Sequence, residues 1–391
     1  VKSEYPVITL GKLAEKIDYG FSASATDVGD GPKFLRITDI QDDHVNWLTV
    51  PLCEADKQDT IKYALAEGDI VFARTGATTG KSYLIRHCPQ NSIFASYLIR
   101  VRPSKDVDSG YLSRFFQTSS YWRQINLNTS GTAQGGVNAT KLKTLLVPLP
   151  PLEEQRRIAA ILDKADGVRR KRKEAIRLTE ELLKSTFLEM FGDPVTNPKG
   201  WEIAKLGDFG KILTGNTPPR SVSENYGDEI EWIKSDNITT PEHFLTEAEE
   251  KLSAKGKKIA RTVPNGSVLV TCIAGSRSSI GRAALTDREV AFNQQINAVV
   301  PNSDVDPYFL YGQLFVAQHL VQAQSTDSMK GMVNKSKFSS IEFIKPPSQK
   351  QQKFGKWFLG FHRYYMNLIS GEEQSENLFN SLLQKAFRGE L

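Results

Sequence analysis

The sequence predicts a mixed α/β (α+β) fold used twice. Two domains of short strands and helices alternate with two long helices that pair as an antiparallel coiled coil, an internal pseudo-two-fold repeat. Three observations lead there. Segments recur after about 198 residues, two stretches of about forty residues lack proline, and the remainder is short apolar runs punctuated by Gly, Pro, Asn and Asp.

The repeat comes first because it sets the domain plan. Phe94 falls on Phe292, Pro103 on Pro301, and Asp106-Val107-Asp108 on Asp304-Val305-Asp306. Glu67-Gly68-Asp69-Ile70-Val71 falls on Asn265-Gly266-Ser267-Val268-Leu269. Gly136-Val137-Asn138 then falls on Met332-Val333-Asn334, Pro150-Pro151 on Pro346-Pro347, and Gln155 on Gln351. A unit of about 195 residues is too long for a solenoid repeat, so this is a tandem duplication of a domain plus a helix.

Within each copy, β-branched runs such as Asp69-Ile70-Val71-Phe72 and Val268-Leu269-Val270 predict strands. Apolar recurrence at three and four predicts short helices over 109–124 and 307–322. After each diproline the period changes. Ile158, Ile161, Leu162, Ala165, Val168, Ile176, Leu182, Leu183 and Phe187 form one stripe. Phe354, Trp357, Phe361, Tyr364, Leu368, Leu378 and Leu382 take a/d-like positions in the other. Gly192-Asp193-Pro194 ends the first helix. Each helix would span roughly 60 Å, against roughly 35–40 Å for a domain of that size. Its stripe therefore points to the other helix as partner, the alternative being that each helix packs back on its own domain. The expected division is a first α/β domain at 1–148, a first long helix at 149–192, a second domain at 193–344 and a second helix at 345–391.

Hydrophobic residues at 39% and charged residues at 24% let each domain bury a core. A net charge of +5 permits nucleic-acid binding without requiring it. Cys53, Cys88 and Cys272 are odd in number and widely spaced, so no disulfide framework is expected, and the scattered histidines predict no metal site. No apolar run is long enough to cross a membrane and no secretion signal stands at Val1 to Leu10, so a cytoplasmic protein is expected.

Two segments imitate catalytic motifs. Gly76 to Ser82 ends in Gly-Lys-Ser, but the first glycine sits one residue late for a phosphate loop, and the residues after Ser82 predict a strand. Its duplicate, Gly275 to Arg282, keeps the glycine and the basic residue and loses Lys-Ser. Asp306-Pro307-Tyr308-Phe309 faintly resembles an adenine-methyltransferase motif, but the aligned Asp108-Ser109 points to a helix start capped by aspartate. No catalytic residues are expected.

The informative loops are small, polar and basic. Candidate DNA contacts are Arg74, Thr75, Thr78, Thr79, Lys81, Gln134, Asn138 and Lys141 in the first copy. In the second they are Thr217, Arg220, Ser221, Arg277, Ser278, Ser279, Arg282, Lys330, Lys335 and Lys337. Lys and Arg neutralise phosphates, hydroxyls and loop amides position the backbone, and Arg, Lys, Gln and Asn read base edges. The loops recur in both copies while their polar residues differ, as an asymmetric two-part DNA site requires. The run Arg169-Arg170-Lys171-Arg172-Lys173 lies mid-helix, as a solvated face or a contact for DNA or an acidic partner.

Pro148-Leu149-Pro150-Pro151-Leu152-Glu153-Glu154-Gln155-Arg156-Arg157-Ile158 resembles the start of the conserved helix in specificity subunits of type I restriction-modification enzymes. Leu188 to Pro194 resembles its end, and Leu382 to Leu391 the usual C-terminus. Leu213-Thr214-Gly215-Asn216-Thr217-Pro218, followed by Glu231-Trp232-Ile233, resembles the opening of a target recognition domain, while Pro346-Pro347-Ser348-Gln349-Lys350-Gln351 departs from the helix pattern. The resemblance implies a non-catalytic subunit whose two domains each read half of a split double-stranded DNA target. It implies two methylation subunits carrying S-adenosylmethionine, and restriction subunits using ATP and Mg²⁺. The alternative is a protein-bridging coiled-coil scaffold that reads no DNA.

Overall fold

The computed structural model describes residues 4–129, 136–238, 242–326 and 331–391. The chain forms two compact units, one of Val1–Lys171 with Glu373–Leu391, the other of Arg172–Glu372. Each unit takes part of both long helices.

In the first unit an antiparallel sheet is ordered Ala14–Tyr19, Leu98–Pro103, Ile70–Ala73, Ser82–Leu84. A second sheet is ordered Ser92–Phe94, Lys33–Leu35, Leu52–Cys53, Ala25–Thr26, its first pair parallel. The second unit repeats the first sheet as Gly210–Thr214, Ile296–Pro301, Val268–Thr271, Ala283–Leu285. Even the register repeats: Leu98 pairs with Ala73, and its counterpart Ile296 with Thr271. In both copies the inner strand Leu98–Pro103 or Ile296–Pro301, the central strand, is buried at its first four positions.

The copies differ inside that strand. Arg100, 0% exposed, forms an ion pair with Asp18 at 2.7 Å, and the neighbouring Arg102 pairs with buried Asp69 at 2.7 Å. The register places Leu213, Ala298 and Val300 at the positions of Asp18, Arg100 and Arg102 in the second unit. One scaffold thus tolerates an ionic or an apolar filling, provided the charges are mutually satisfied.

Each predicted short helix is two. Ser109–Phe115 is followed by Ser119–Thr129, because Thr118 Oγ1 accepts from Tyr121 N at 3.1 Å and starts a new helix. Pro307–Val316 is followed by Gln318–Ala323. Asp108 and Asp306 cap the leading helices through their side chains, as expected of that aspartate.

The long helices are Leu152–Phe191 and Ser348–Ala386. Gly192, at φ 79°, closes the first in the left-handed region that glycine adopts freely. In the first unit Ile158 and Leu162 share a core with Phe379, Leu383 and Ala386. In the second unit Leu183, Phe187 and Phe191 share one with Phe354, Phe358, Phe361 and Tyr365. The start of one helix thus meets the end of the other, which makes the pair antiparallel.

The expected stripes need correction. Tyr364 and Leu378 are 58% and 57% exposed, while Tyr365 and Phe379 beside them are buried. Val168 and Leu182 also face outward, and polar Asp166 and Thr179 take buried places on the first helix. Asp166 is held by Arg114 at 3.0 Å, Arg169 at 2.6 Å and Arg170 at 2.9 Å. Burial pushes its carboxyl up, but Arg114 and the helix arginines outweigh that and leave it below its ordinary value. The mid-helix basic run is therefore largely committed within the protein. Arg169 also reaches Glu376 at 3.0 Å, Arg170 pairs with Asp43, Arg172 donates to Gly371 O, and Lys173 lies 3.6 Å from Glu372.

Candidate nucleic-acid interface

Gly20 and Gly215 organise the two copies alike. A Cβ on Gly20 would lie 2.3 Å from both Phe94 O and Ala95 O, and one on Gly215 would lie 2.1 Å from Asn293 O. Only glycine allows the chain to pass that closely. Phe21 N donates to Phe94 O and Ser96 N to Phe21 O; in the second copy Asn216 N donates to Phe292 O and Gly215 N to Ile296 O. The end of Ala14–Tyr19, like that of Gly210–Thr214, is thereby fastened to a turn at the head of the central strand.

In the first unit, Arg74 N donates to Tyr97 O at 3.1 Å and Val137 N to Arg74 O at 3.0 Å. The exposed Arg74 guanidinium lies 4.9 Å from the centroid of the Tyr19 ring, whose hydroxyl accepts from Ala139 N at 3.1 Å. Arg74, Asn138 and Lys141 therefore gather around Tyr19 and Tyr97. Asn138 Oδ1 accepts from Lys141 N at 2.8 Å and starts the helix Ala139–Lys143, so this candidate side chain also has a capping task.

The loop from Thr75 to Lys81 folds on itself. Thr79 Oγ1 donates to Gly76 O at 2.7 Å, Gly80 takes φ 83°, and Tyr121 donates to Gly80 O at 2.5 Å. Ser82 begins a strand rather than a helix, so the amides that hold phosphate in a nucleotide loop are not presented here. Thr75, Thr78 and Lys81 line a cavity of about 1020 Å³ with Trp122 and Arg170.

In the second unit Thr217 Oγ1 donates to Gln294 Oε1. Arg220 is held by Glu250 at 2.9 Å and lies 5.4 Å and 5.3 Å from the ring centroids of Tyr226 and Trp232. Its orientation is therefore fixed, and Ser221 follows it exposed. Ser278 shares a 2.7 Å hydrogen bond with Ser276, and Arg282 Nε donates to Ser278 O at 3.2 Å, which closes the loop containing Arg277 and Ser279. Ile273–Ala274 pairs with Gly331–Met332, bringing this loop beside the segment of Lys335 and Lys337. Gln134 and Lys330 lie outside the described residues.

Sequence reasoning missed Tyr19, Tyr97, Arg261, Gln294 and Gln295. Arg261 donates to Thr214 O at 2.6 Å beside the Gly215 crossing, and Cys272 N donates to Gln295 O at 2.8 Å. Gly20 and Gly215, at corresponding places in the two copies, were the available signal, but the backbone each approaches is about eighty residues away in sequence.

No group of three or more His, Cys, Asp or Glu side chains suited to a metal occurs among the described residues. Burial pushes the Cys272 thiol up to about 12, far from a reactive thiolate. Among the described residues no helix is long and apolar enough to cross a membrane.

The family model for the type I restriction modification DNA specificity domain matches residues 4–178 and again 198–374. The specificity subunit of the type I restriction enzyme HindI from Haemophilus influenzae is 31% identical over 200 residues, 50% of this chain and 42% of that subunit. The putative MjaX specificity subunit from Methanocaldococcus jannaschii is 23% identical over 382 residues, 91% of this chain and 86% of that one. This chain therefore spans less than half of the HindI subunit's length in that match and most of MjaX's. The crystal structure of the S subunit of a type I restriction-modification system from M. genitalium has a TM-score of 0.62 at 14% identity, covering 99% of this chain and 96% of that one. A chain from a structure of type I system assembly and conformational transition has a TM-score of 0.58 at 19% identity, with both chains covered at 100%. The two family matches follow the two copies of the repeat, and this chain belongs to the DNA-target-recognising specificity subunits of type I restriction-modification systems.

Proposed function

We propose that each recognition domain reads one half of a split double-stranded DNA target, and that the paired helices set the spacing between the halves and dock two methylation subunits. The observation that carries this reading is the duplicated loop frame with changed side chains. Arg74 and Cys272 occupy the same backbone place, each amide donating into the equivalent turn, yet one is an exposed cation and the other a buried thiol. A single frame with different surface chemistry suits two unlike half-sites. Arg74, Lys81 and Lys141, and Arg220, Arg277, Arg282, Lys335 and Lys337, supply the cations. Thr75, Thr78, Thr79, Asn138, Thr217, Ser221, Ser278 and Ser279 supply hydroxyl and amide contacts, with Gln134 and Lys330 in the same loops.

The subunit works in the cytoplasm and has no active site of its own. S-adenosylmethionine belongs to the methylation subunits, and ATP and Mg²⁺ to restriction subunits that join for cleavage. Gel shifts against a pool of DNA fragments, at fixed salt with and without a co-expressed methylation subunit, test this. Sequence-selective binding supports it. Retention of a partner protein with no selective binding in either condition would favour a bridging scaffold.

A further inference from the structure

The turn at the head of the central strand is held from several sides in both recognition domains. In the first, Leu98 N donates to Ala95 O at 2.9 Å, which leaves Ser96 and Tyr97 at the two middle positions. In the second, Ile296 N donates to Asn293 O at 3.2 Å, which leaves Gln294 and Gln295 there. The residues flanking the middle pair are buried in both copies: Phe94, Ala95 and Leu98, and Phe292, Asn293 and Ile296. The turn enters from a parallel pair, Phe94 beside Leu35 in one copy and Phe292 beside Ile233 in the other. It is clamped on one side by the Gly20 or Gly215 crossing. On the other side it accepts from the amide of Arg74 or Cys272.

So rigid a backbone places its side chains reproducibly, which is what base reading demands. The exposed chemistry is where the copies part. Tyr97 is 66% exposed and stands beside Arg74. Gln294 is exposed, and Thr217 donates to its Oε1 from the loop that Gly215 fastens to the turn. Gln295 is steadied differently: its amide donates to Asn293 Oδ1 at 3.0 Å and its Oε1 accepts from Asn293 Nδ2 at 3.2 Å.

We propose that this turn is a base-reading element of each domain, and that Gln294, positioned by Thr217, selects an adenine in the half-site of the second domain. This rests on the split-target reading given above. A glutamine reads adenine by accepting from N6 and donating to N7 in the major groove. An amide oxygen has two lone pairs, so Oε1 can accept from Thr217 and from N6 together. Thr217 is a positioning residue that restricts the amide rotation. In the first domain Tyr97 takes the same place, with an aromatic face and a hydroxyl, and reads a different base pair.

The test uses the full chain with its methylation subunits. Bound fragments are selected from DNA randomised across both halves of the target, and the preference at every position is compared between variants. Gln294→Ala is expected to lose discrimination for one A·T pair on the order of tenfold to a hundredfold, leaving the other half-site unchanged. Thr217→Val should weaken preference at that same pair by less. Gln294→Glu, which accepts only, should move the preference at that pair toward C·G. Tyr97→Ala should alter one position in the opposite half. Unaltered profiles for Gln294→Ala and Tyr97→Ala would overturn the inference, as would uniform weakening at every position with unchanged melting temperature. A wild-type complex with no positional preference at all would instead overturn the split-target reading.

Discussion

Gln155 Oε1 accepts from Asp108 N at 2.8 Å, while its Nε2 donates to Pro150 O at 2.9 Å. The second copy repeats the clamp: Gln351 Oε1 accepts from Asp306 N at 3.1 Å and its Nε2 donates to Pro346 O at 2.7 Å. Both glutamines are 1% exposed. One side chain thus ties the diproline entry of each long helix to the residue that caps the domain's leading helix. The Pro-Pro-Leu-x-Glu-Gln segment has an internal structural task, and the degenerate second version keeps the one residue that performs it.

Replacing Gln155 by Ala leaves a buried amide and a carbonyl without partners, which costs about 1–3 kcal/mol each way. The loss should be confined to the first unit, and Gln351→Ala should affect the second. Hydrogen exchange of the amides of Asp108 and Asp306 reports on each separately. Equal loss of protection in both units from either variant would contradict this assignment.

Gly215→Ala should destabilise the second unit by about 1–3 kcal/mol, since its Cβ would meet backbone that cannot easily move. Gly20→Ala should do the same to the first. Gly275→Ala has nothing within 4 Å of its Cβ and serves as the neutral control. Chemical denaturation of the three variants separates them, and an effect of Gly275→Ala as large as that of Gly215→Ala would remove the crossing from the account.

His243 gives a pH dependence. Burial, with repulsion from His362 adding to it, lowers its pKa from the ordinary imidazole value to about 3. Its Nδ1 lies 2.7 Å from Tyr311 Oη among Phe358, Phe361 and Tyr365. The folded state keeps the ring neutral, whereas the unfolded chain takes up a proton below about 6.5. Its stabilising share is complete above that pH and is lost as pH falls toward about 3. His243→Asn, which tolerates the φ of 64° there, should flatten the decline in melting temperature between about pH 7 and 5, above the usual carboxylate range. Parallel curves for the variant and the wild type would contradict it.

Arg74→Ala and Lys81→Ala should each weaken DNA binding, with melting temperature unchanged. If these side chains meet phosphates, each substitution should also reduce the salt dependence of binding by about one unit of slope. Titration of fluorescent DNA at several salt concentrations measures both quantities. Unchanged affinity for both variants would take that loop out of the interface.

The repeat, the helix positions and the aspartate caps were legible because each is written in local spacing. The helix frame was not. Apolar residues sit side by side at Tyr364-Tyr365, Leu378-Phe379 and Leu382-Leu383, so two frames one residue apart fit the sequence equally well. Packing selects the frame through Tyr365, Phe379 and Leu383, and the first helix buries Asp166 and Thr179 where periodicity expects apolar residues. The basic run looked available for the same reason: its partners Glu372 and Glu376 lie about two hundred residues away. In the interface, the cationic loops stand out by composition. The turn carrying Gln294 does not, because Gly215 and Thr217, which hold it, follow a strand about eighty residues earlier in the chain.

Methylome sequencing of cells expressing the chain with its methylation subunits decides whether the target is split. Methylation is expected at one split sequence, two specified halves of unlike sequence separated by a fixed unspecified spacer, with Gln294→Ala changing only one half. Methylation at a continuous undivided sequence, or changes in both halves from that one substitution, would contradict it.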